Sequence, residues 1–379
     1  MDPLLLIPGP SPVVPRILEA LAKPTLSHTS AGLATDVRET LDFLKACVFT
    51  ASGEPFVFAG AGTLAMEVAL LNVARKNDRI LILSQGYFGD RMAAIAEAFG
   101  LGFDVIRSSW GSAVRDEELR KAVDSIRYDV VAVTHVDTGT GAAAPLRAYA
   151  EVLKGRDLMW IVDGVCATGG VEERMDDWGI DVILTAAQKC FGAPPGLAID
   201  IFSPRAMAKR RSLPSVPAYY SDILRWLPVM HDPQKYFSTH AVNEIRAFAE
   251  AARIMAAEGI AARFLRQNRL ARAIRTGLAA LGFGLFTESE FLAPTLSVIR
   301  YPEGIDDASF RANYLTAGYA VAGGLGETAG RVFRMGHMGN LTDGQALGAV
   351  EALGETARAM GCKADVPAAV EAAAAVFHE

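Results

Sequence analysis

From residue 56 to residue 189 the chain alternates short apolar runs with helical stretches, and that alternation restricts its fold more than any other property. The runs are FVFA (56–59), RILILSQ (79–85), FDVIRSS (103–109), VVAVTH (130–135), MWIVDG (159–164) and DVILTAA (181–187). Each is too short for a core helix, and the purest are apolar on both alternating faces, as strands buried on both sides are. The stretches between them include LAMEVALLNV, with Leu64, Met66, Val68, Leu70 and Leu71, and YFGDRMAAIAEAFG. Strands alternating with helices predict an α/β fold with a mostly parallel sheet sandwiched by helices. The carboxyl ends of parallel strands open onto one edge, where α/β folds place their ligands. The strand exits then carry Thr63, Phe88, Thr138, Asp163 and Lys189 to one crevice.

Two of these residues make a chemical pair. The run Val182, Ile183, Leu184 ends in small residues, presents Gln188 and Lys189, and breaks into the loop GAPPG. A lysine held in a crevice is a candidate amine nucleophile for Schiff-base chemistry. Asp163 ends another apolar run 26 residues upstream. An acid and a lysine at neighbouring strand ends are the two groups that pyridoxal phosphate requires. The acid pairs with the protonated pyridine nitrogen and the lysine carries the aldehyde carbon. The turn Gly60-Ala61-Gly62-Thr63, feeding a helix, exposes backbone N–H groups at the positive end of the helix dipole, which suits a phosphate. Read singly, each feature has a plainer explanation: a solvated lysine, an aspartate capping a turn, a tight strand-to-helix connection.

Composition narrows the alternatives. A chain of 379 residues exceeds the usual span of one core. It is divided here into an extended segment (1–20), a large cofactor-binding domain (21–260) and a smaller α+β domain (261–379). A net charge of −6 gives no general reason to bind nucleic acid or anionic membrane. Cys47, Cys166, Cys190 and Cys362 are scattered, without a disulfide or zinc pattern, and the six histidines show no metal-ligand spacing. With no signal-like amino terminus and no membrane-length apolar run, the expected location is the cytoplasm. Pro3, Pro8, Pro10, Pro12 and Pro15 around Gly9 predict an extended start. Helices are expected at 15–23 and 36–49, the second capped by Asp36. Residues 212–239 read as a packed loop, 240–281 as a long helical bridge, and 283–288, 295–301 and 331–339 as strands of the smaller domain. Helices are expected there near 306–317, over 342–360 and over 366–377.

Taken together, IPGPSPVVPRILEAL, GAGTLAMEVALLNV, YFGDR, THVDTGTG, VDGVCATGG, QKCFGAPPG, AVNEIRAFAEA and GGLGETAGRVFRMGHMG resemble the class V, fold type I pyridoxal-phosphate aminotransferases of the alanine–glyoxylate and serine–pyruvate group. The likeness covers nearly the whole chain and implies a seven-stranded, mostly parallel sheet. It makes Lys189 the Schiff-base lysine and Asp163 the partner of the pyridine nitrogen. Phe88 would stack on the cofactor ring, Val165 would pack on its other face, and Thr138 would meet the O3′ region. Gly62, Thr63 and Gln188 match the phosphate cup. Tyr236 and Thr239 match residues reaching the phosphate of a neighbouring subunit, which implies a homodimer with shared active sites. Arg334 matches the arginine that clamps a substrate carboxylate. The implied reaction moves an amino group from a small L-amino acid, alanine or serine, to a 2-oxo acid, glyoxylate or pyruvate.

The chain departs from that pattern in two places. SHTSAGLATD (27–36) lacks an acidic-aromatic pair common in the group. The carboxyl-terminal run also looks like the pyridoxamine–pyruvate aminotransferases, which place an acid in the phosphate turn where this chain has Ala61. Other readings are a 2-aminoethylphosphonate-type transaminase, using cations such as Arg225, Lys235 or Arg331, and a catalytically silent dimeric scaffold of the same fold.

Overall fold

Residues 2–379 are described by a computed structural model. Seven strands form the main sheet in the spatial order Glu54–Ala59, Leu197–Phe202, Val182–Ala186, Met159–Asp163, Val130–Thr134, Arg79–Ser84, Gly102–Arg107. The central strands Val130–Thr134, Met159–Asp163 and Val182–Ala186 are buried along their whole length, as their unbroken apolar sequences require. Gly102–Arg107, at one edge, is only partly covered. Leu197–Phe202 runs antiparallel to both neighbours. No helix joins it to Val182–Ala186: the ten-residue connection AQKCFGAPPG is long enough to reverse the chain and too short for a parallel crossover.

Helix Gly62–Val73 is apolar around most of its girth and lies against Val182–Ala186 and Leu197–Phe202, with only a few residues outside the core. Helix Ala31–Cys47 turns Leu33, Val37, Leu41 and Leu44 inward at helical spacing. Ser30, not Asp36, caps it, accepting from Leu33 N at 3.3 Å. Asp36 lies one turn further in and pairs with Arg253 at 2.6 Å. The 240–281 pattern is two helices, Val242–Glu258 and Ile260–Ala280, separated at Gly259 with φ +86°. The 212–239 stretch is not wholly loop, because Ile223–His231 is helical despite Pro228. Asp222 caps it at Leu224 N, 3.1 Å away. Trp226 is fully buried edge-on to Phe58 at 5.5 Å, an anchor that outweighs the proline.

A second core forms around Leu270, Ile274, Phe310, Phe333 and Leu353. It is covered by an antiparallel sheet of Gly284–Leu285, Leu296–Arg300, Val332–Gly336 and Ala322–Gly323. The two cores are joined by the proline-rich start of the chain. Leu4–Leu5 pairs in parallel with Tyr319–Ala320, and Gly336 N donates to Leu6 O at 2.7 Å. Ser11 then binds the main chain of the lysine turn, its N donating to Gln188 O at 3.0 Å and its Oγ to Lys189 O at 2.6 Å. From Pro15 to Leu21 the segment is helical, with proline in the first turn, where its missing N–H is not needed. Among the described residues no helix is long and apolar enough to cross a membrane.

Candidate active site

At the carboxyl ends of the parallel strands lies a cavity of about 240 Å³. Gly62, Thr63, Phe88, Thr138, Asp163, Val165, Gln188 and Lys189 all line it. A larger open hollow of about 730 Å³ lies at the opposite edge, near the strand starts at Trp160 and Asp181. Its two arginines are paired locally, Arg205 with Asp181 and Arg156 with Asp124, so the buried acid in its wall, Asp181, already has a cation.

Lys189 follows the strand Val182–Ala186, in a turn pinned from two sides. Ser11 holds its carbonyl, and the buried Arg263 donates to Cys190 O at 2.8 Å and to Gly339 O at 3.0 Å. Its Nζ donates to Pro8 O. Gly9 makes this approach possible: a Cβ there would fall 2.4 Å from Lys189 Cδ and 2.6 Å from Nζ, and its φ of +95° favours glycine.

Asp163 ends its strand buried. It accepts from Val165 N at 3.0 Å and from Thr134 Oγ1 at 3.2 Å. Burial pushes its carboxyl up to about 6, with the nearby Asp137 and Glu173 adding to the rise and the two hydrogen bonds opposing it. Such a group lacks a cation, and a protonated ring nitrogen would supply one.

Arg334, on Val332–Gly336, donates from Nε to Gly323 O at 2.7 Å and from its terminal nitrogen to Thr138 O at 3.2 Å. Burial lowers its pKa, opposed by Asp137. Among the described residues no carboxylate pairs with it, so the guanidinium is held by main chain beside the cavity with donors to spare. Tyr236 and Thr239 stand apart from the cavity. Tyr236 is 64% exposed with its ring 5.2 Å from His28, and Thr239 borders a separate surface hollow.

The amino-terminal turn of Gly62–Val73 has no side-chain cap, and Gln188 Oε1 is buried without a partner. A helix start with uncapped N–H groups, lining one cavity with an acid and a lysine, fits a phosphorylated pyridine aldehyde. The model of the family described as aminotransferase class V matches residues 16–307. The chain belongs to the class V aminotransferases. Aminotransferases of this type use pyridoxal phosphate, and this enzyme is a transaminase dependent on it. The chain is 32% identical to an L-aspartate–glyoxylate aminotransferase of Paracoccus denitrificans over 91% of this chain and 89% of the relative. Its fold matches the crystal structure of an alanine–glyoxylate aminotransferase from Nostoc sp. with a TM-score of 0.91 and 31% identity, covering 94% and 96% of the two chains. It matches a pyridoxamine–pyruvate aminotransferase from Mesorhizobium loti with a TM-score of 0.94 and 28% identity, covering 100% and 98%.

Sequence reasoning left three features of this aminotransferase unassigned. Asp137 is fully buried and caps the helix that carries Phe88, accepting from Phe88 N at 2.7 Å, Gly89 N at 3.2 Å and Gly139 N at 2.8 Å. It raises no local signal because it stands 49 positions from the N–H it caps. Arg91 lines the cavity wall. Beneath Asp163, His135 Nδ1 lies 2.6 Å from Glu173 Oε1, and Thr168 Oγ1 donates to Glu173 Oε2 at 2.6 Å. His135 N in turn donates to Asp163 O at 2.9 Å.

Proposed function

We propose that this aminotransferase moves the amino group of a small L-amino acid, alanine or serine, to a 2-oxo acid such as glyoxylate or pyruvate. The observation that carries the reading is that Lys189 and Asp163 line one cavity beside Arg334, a guanidinium without a carboxylate partner among the described residues. When bound, the cofactor supplies an electron sink conjugated to the substrate Cα. Lys189 is the catalytic base: its Nζ takes the Cα proton and later returns one, while Pro8 O offers the amine a hydrogen bond when it is free. Asp163 presents a carboxylate to the ring nitrogen. Arg334 receives the substrate carboxylate through its bidentate fork, with Gly323 and Thr138 carbonyls fixing the plane.

Phe88 and Val165 would cover the two ring faces, Thr138 would meet the ring hydroxyl region, and Gly62, Thr63 and Gln188 would hold the phosphate. Tyr236 and Thr239 would complete the phosphate site of a second copy, making the enzyme a homodimer. The exposure of Tyr236, and of Tyr219 at 68%, supports this. Two domains, 21–260 and 261–379, are inferred around the two cores. A cytoplasmic location is supported by four free thiols. Relatives named for glyoxylate as acceptor support that choice here. Ala61 and Thr63, which put no acid in the phosphate turn, favour a retained cofactor over the pyridoxamine–pyruvate reaction.

The test is the half-reaction of purified, cofactor-loaded enzyme, followed by absorbance against alanine, serine, glycine, aspartate, pyridoxamine and 2-aminoethylphosphonate. Conversion by alanine or serine, abolished in Lys189→Ala and shifted to much higher substrate concentration in Arg334→Gln, is the expected result. Conversion by pyridoxamine or the phosphonate alone overturns the substrate assignment. A Lys189→Ala variant turning over at the native rate overturns the mechanism.

A further inference from the structure

Arg91 has no role in the reaction described above, yet it stands in the cavity wall. It lies on helix Tyr87–Ala98, one turn beyond Phe88. Its guanidinium carbon sits 4.6 Å from the centre of the Phe88 ring and 5.4 Å from that of Tyr87, and one terminal nitrogen donates to Thr63 Oγ1 at 3.3 Å. The acid nearest in sequence, Asp90, is engaged elsewhere, by Arg107 at 2.8 Å and Ser84 Oγ at 3.0 Å. Among the described residues no carboxylate pairs with Arg91, so a planar cation is held at the cavity by stacking and one hydroxyl, with donors left over.

The charges lining the cavity decide what this cation faces. Among the described residues, Lys189 and Arg91 are its only cationic lining residues, and Asp163 its only anionic one. Once Lys189 is bonded to the aldehyde and Asp163 is matched to the ring nitrogen, a phosphate carrying more than one negative charge has no cationic side chain in this chain's cavity except Arg91. The uncapped helix start and Gln188 offer only neutral donors.

We propose that Arg91 is the residue that makes this enzyme select phosphorylated over unphosphorylated vitamin B6, through a charge-assisted contact made alongside Thr63. The assignment rests on the pyridoxal-phosphate reading and deepens it. Thr63 and the stacked rings set the guanidinium at the phosphate end of the cavity, and a cationic fork there discriminates by charge, where Phe88 discriminates only by shape.

The experiment compares cofactor-free wild type with Arg91→Met, which keeps an unbranched apolar stem over Phe88, and with Arg91→Lys. Binding of pyridoxal 5′-phosphate, pyridoxal and inorganic phosphate is followed by fluorescence and calorimetry, and the thermal midpoint of the free proteins is measured alongside. The expected result for Arg91→Met is a Kd for pyridoxal 5′-phosphate raised by about 10- to 100-fold, the range for losing a hydrogen bond to a charged group. Its Kd for pyridoxal stays within about threefold of wild type, and competition by inorganic phosphate is lost. Arg91→Lys recovers part of the phosphate affinity. Equal losses for both vitamers would mean that Arg91 only orders Phe88, and no loss for either would mean that it faces solvent; both results overturn the proposal. A variant with a lowered thermal midpoint is judged by the ratio of the two Kd values, which instability alone leaves unchanged. If wild type itself forms no borohydride-reducible adduct at Lys189, the functional reading fails, whatever Arg91 does.

Discussion

Replacing Gly9 with alanine adds one methyl group in the space that the Lys189 side chain occupies. The new Cβ would lie 2.4 Å from Cδ, 2.7 Å from Cε and 2.6 Å from Nζ. Carbon atoms settle at about 3.5–4.0 Å, so the lysine must retreat by about 1 Å and lose its hydrogen bond to Pro8 O. The stability loss is modest because the colliding atoms are the free end of a flexible chain. The strain of φ +95° on an L-residue adds about 1–2 kcal/mol. Catalysis suffers more, since a displacement of about 1 Å in a reacting group costs on the order of 100-fold, or about 2.7 kcal/mol in the barrier. The assay is single-turnover conversion of the loaded enzyme by alanine under saturating substrate, beside the thermal midpoint. The expected outcome is a rate about 100-fold lower with a fold that still melts cooperatively. A rate within about threefold of wild type would show that the approach of Gly9 to Lys189 has no part in placing the amine.

Three further outcomes follow from buried charge. Asp163 sits at about 6 against an ordinary 3.8, so the stability it contributes is complete below about pH 4 and lost as pH rises through about 6. The total loss is about 3 kcal/mol at roughly 1.4 kcal/mol per pH unit. Cofactor-free Asp163→Asn should therefore overtake wild type in urea unfolding at pH 7.5 while binding pyridoxal phosphate more weakly, and a variant less stable at both pH 4.5 and pH 7.5 would contradict this. Asp200 is fully buried in Leu197–Phe202 with neither carboxyl oxygen hydrogen-bonded, and burial raises its pKa well above normal. Asp200→Val should raise stability by about 1–3 kcal/mol, and denaturant midpoints moving the other way would show an unseen partner. Glu173→Ala strands His135 and Thr168 in the core and should lower stability by about 3 kcal/mol, with Glu173→Gln losing less than half as much; equal losses in the two variants would locate the effect in packing.

The sheet was legible because its central strands are buried on both faces and carry almost no polar residues, so their limits coincide with the apolar runs. The gathering of Thr63, Phe88, Thr138, Asp163 and Lys189 followed from the direction of those strands. What escaped detection depends on contacts between distant residues. Asp137 reaches a helix start 49 positions away, and Glu173 pairs with a histidine 38 positions away. Nothing beside either residue announces its partner. Pro228 hid a helix whose existence rests on where Trp226 packs. Asp36 and Ser30 are both acceptable caps by residue type, and the backbone alone chose between them. Arg91 was visible as part of YFGDR, but its use required knowing that Asp90 beside it was already engaged.

The proline-rich start also has a practical consequence for anyone handling the enzyme. A fusion partner or affinity tag joined ahead of Leu4 would pull on the same few residues that touch the reactive amine at Pro8 and hold its carbonyl at Ser11. Loss of activity in an amino-terminally tagged preparation that remains folded would trace to this short tether.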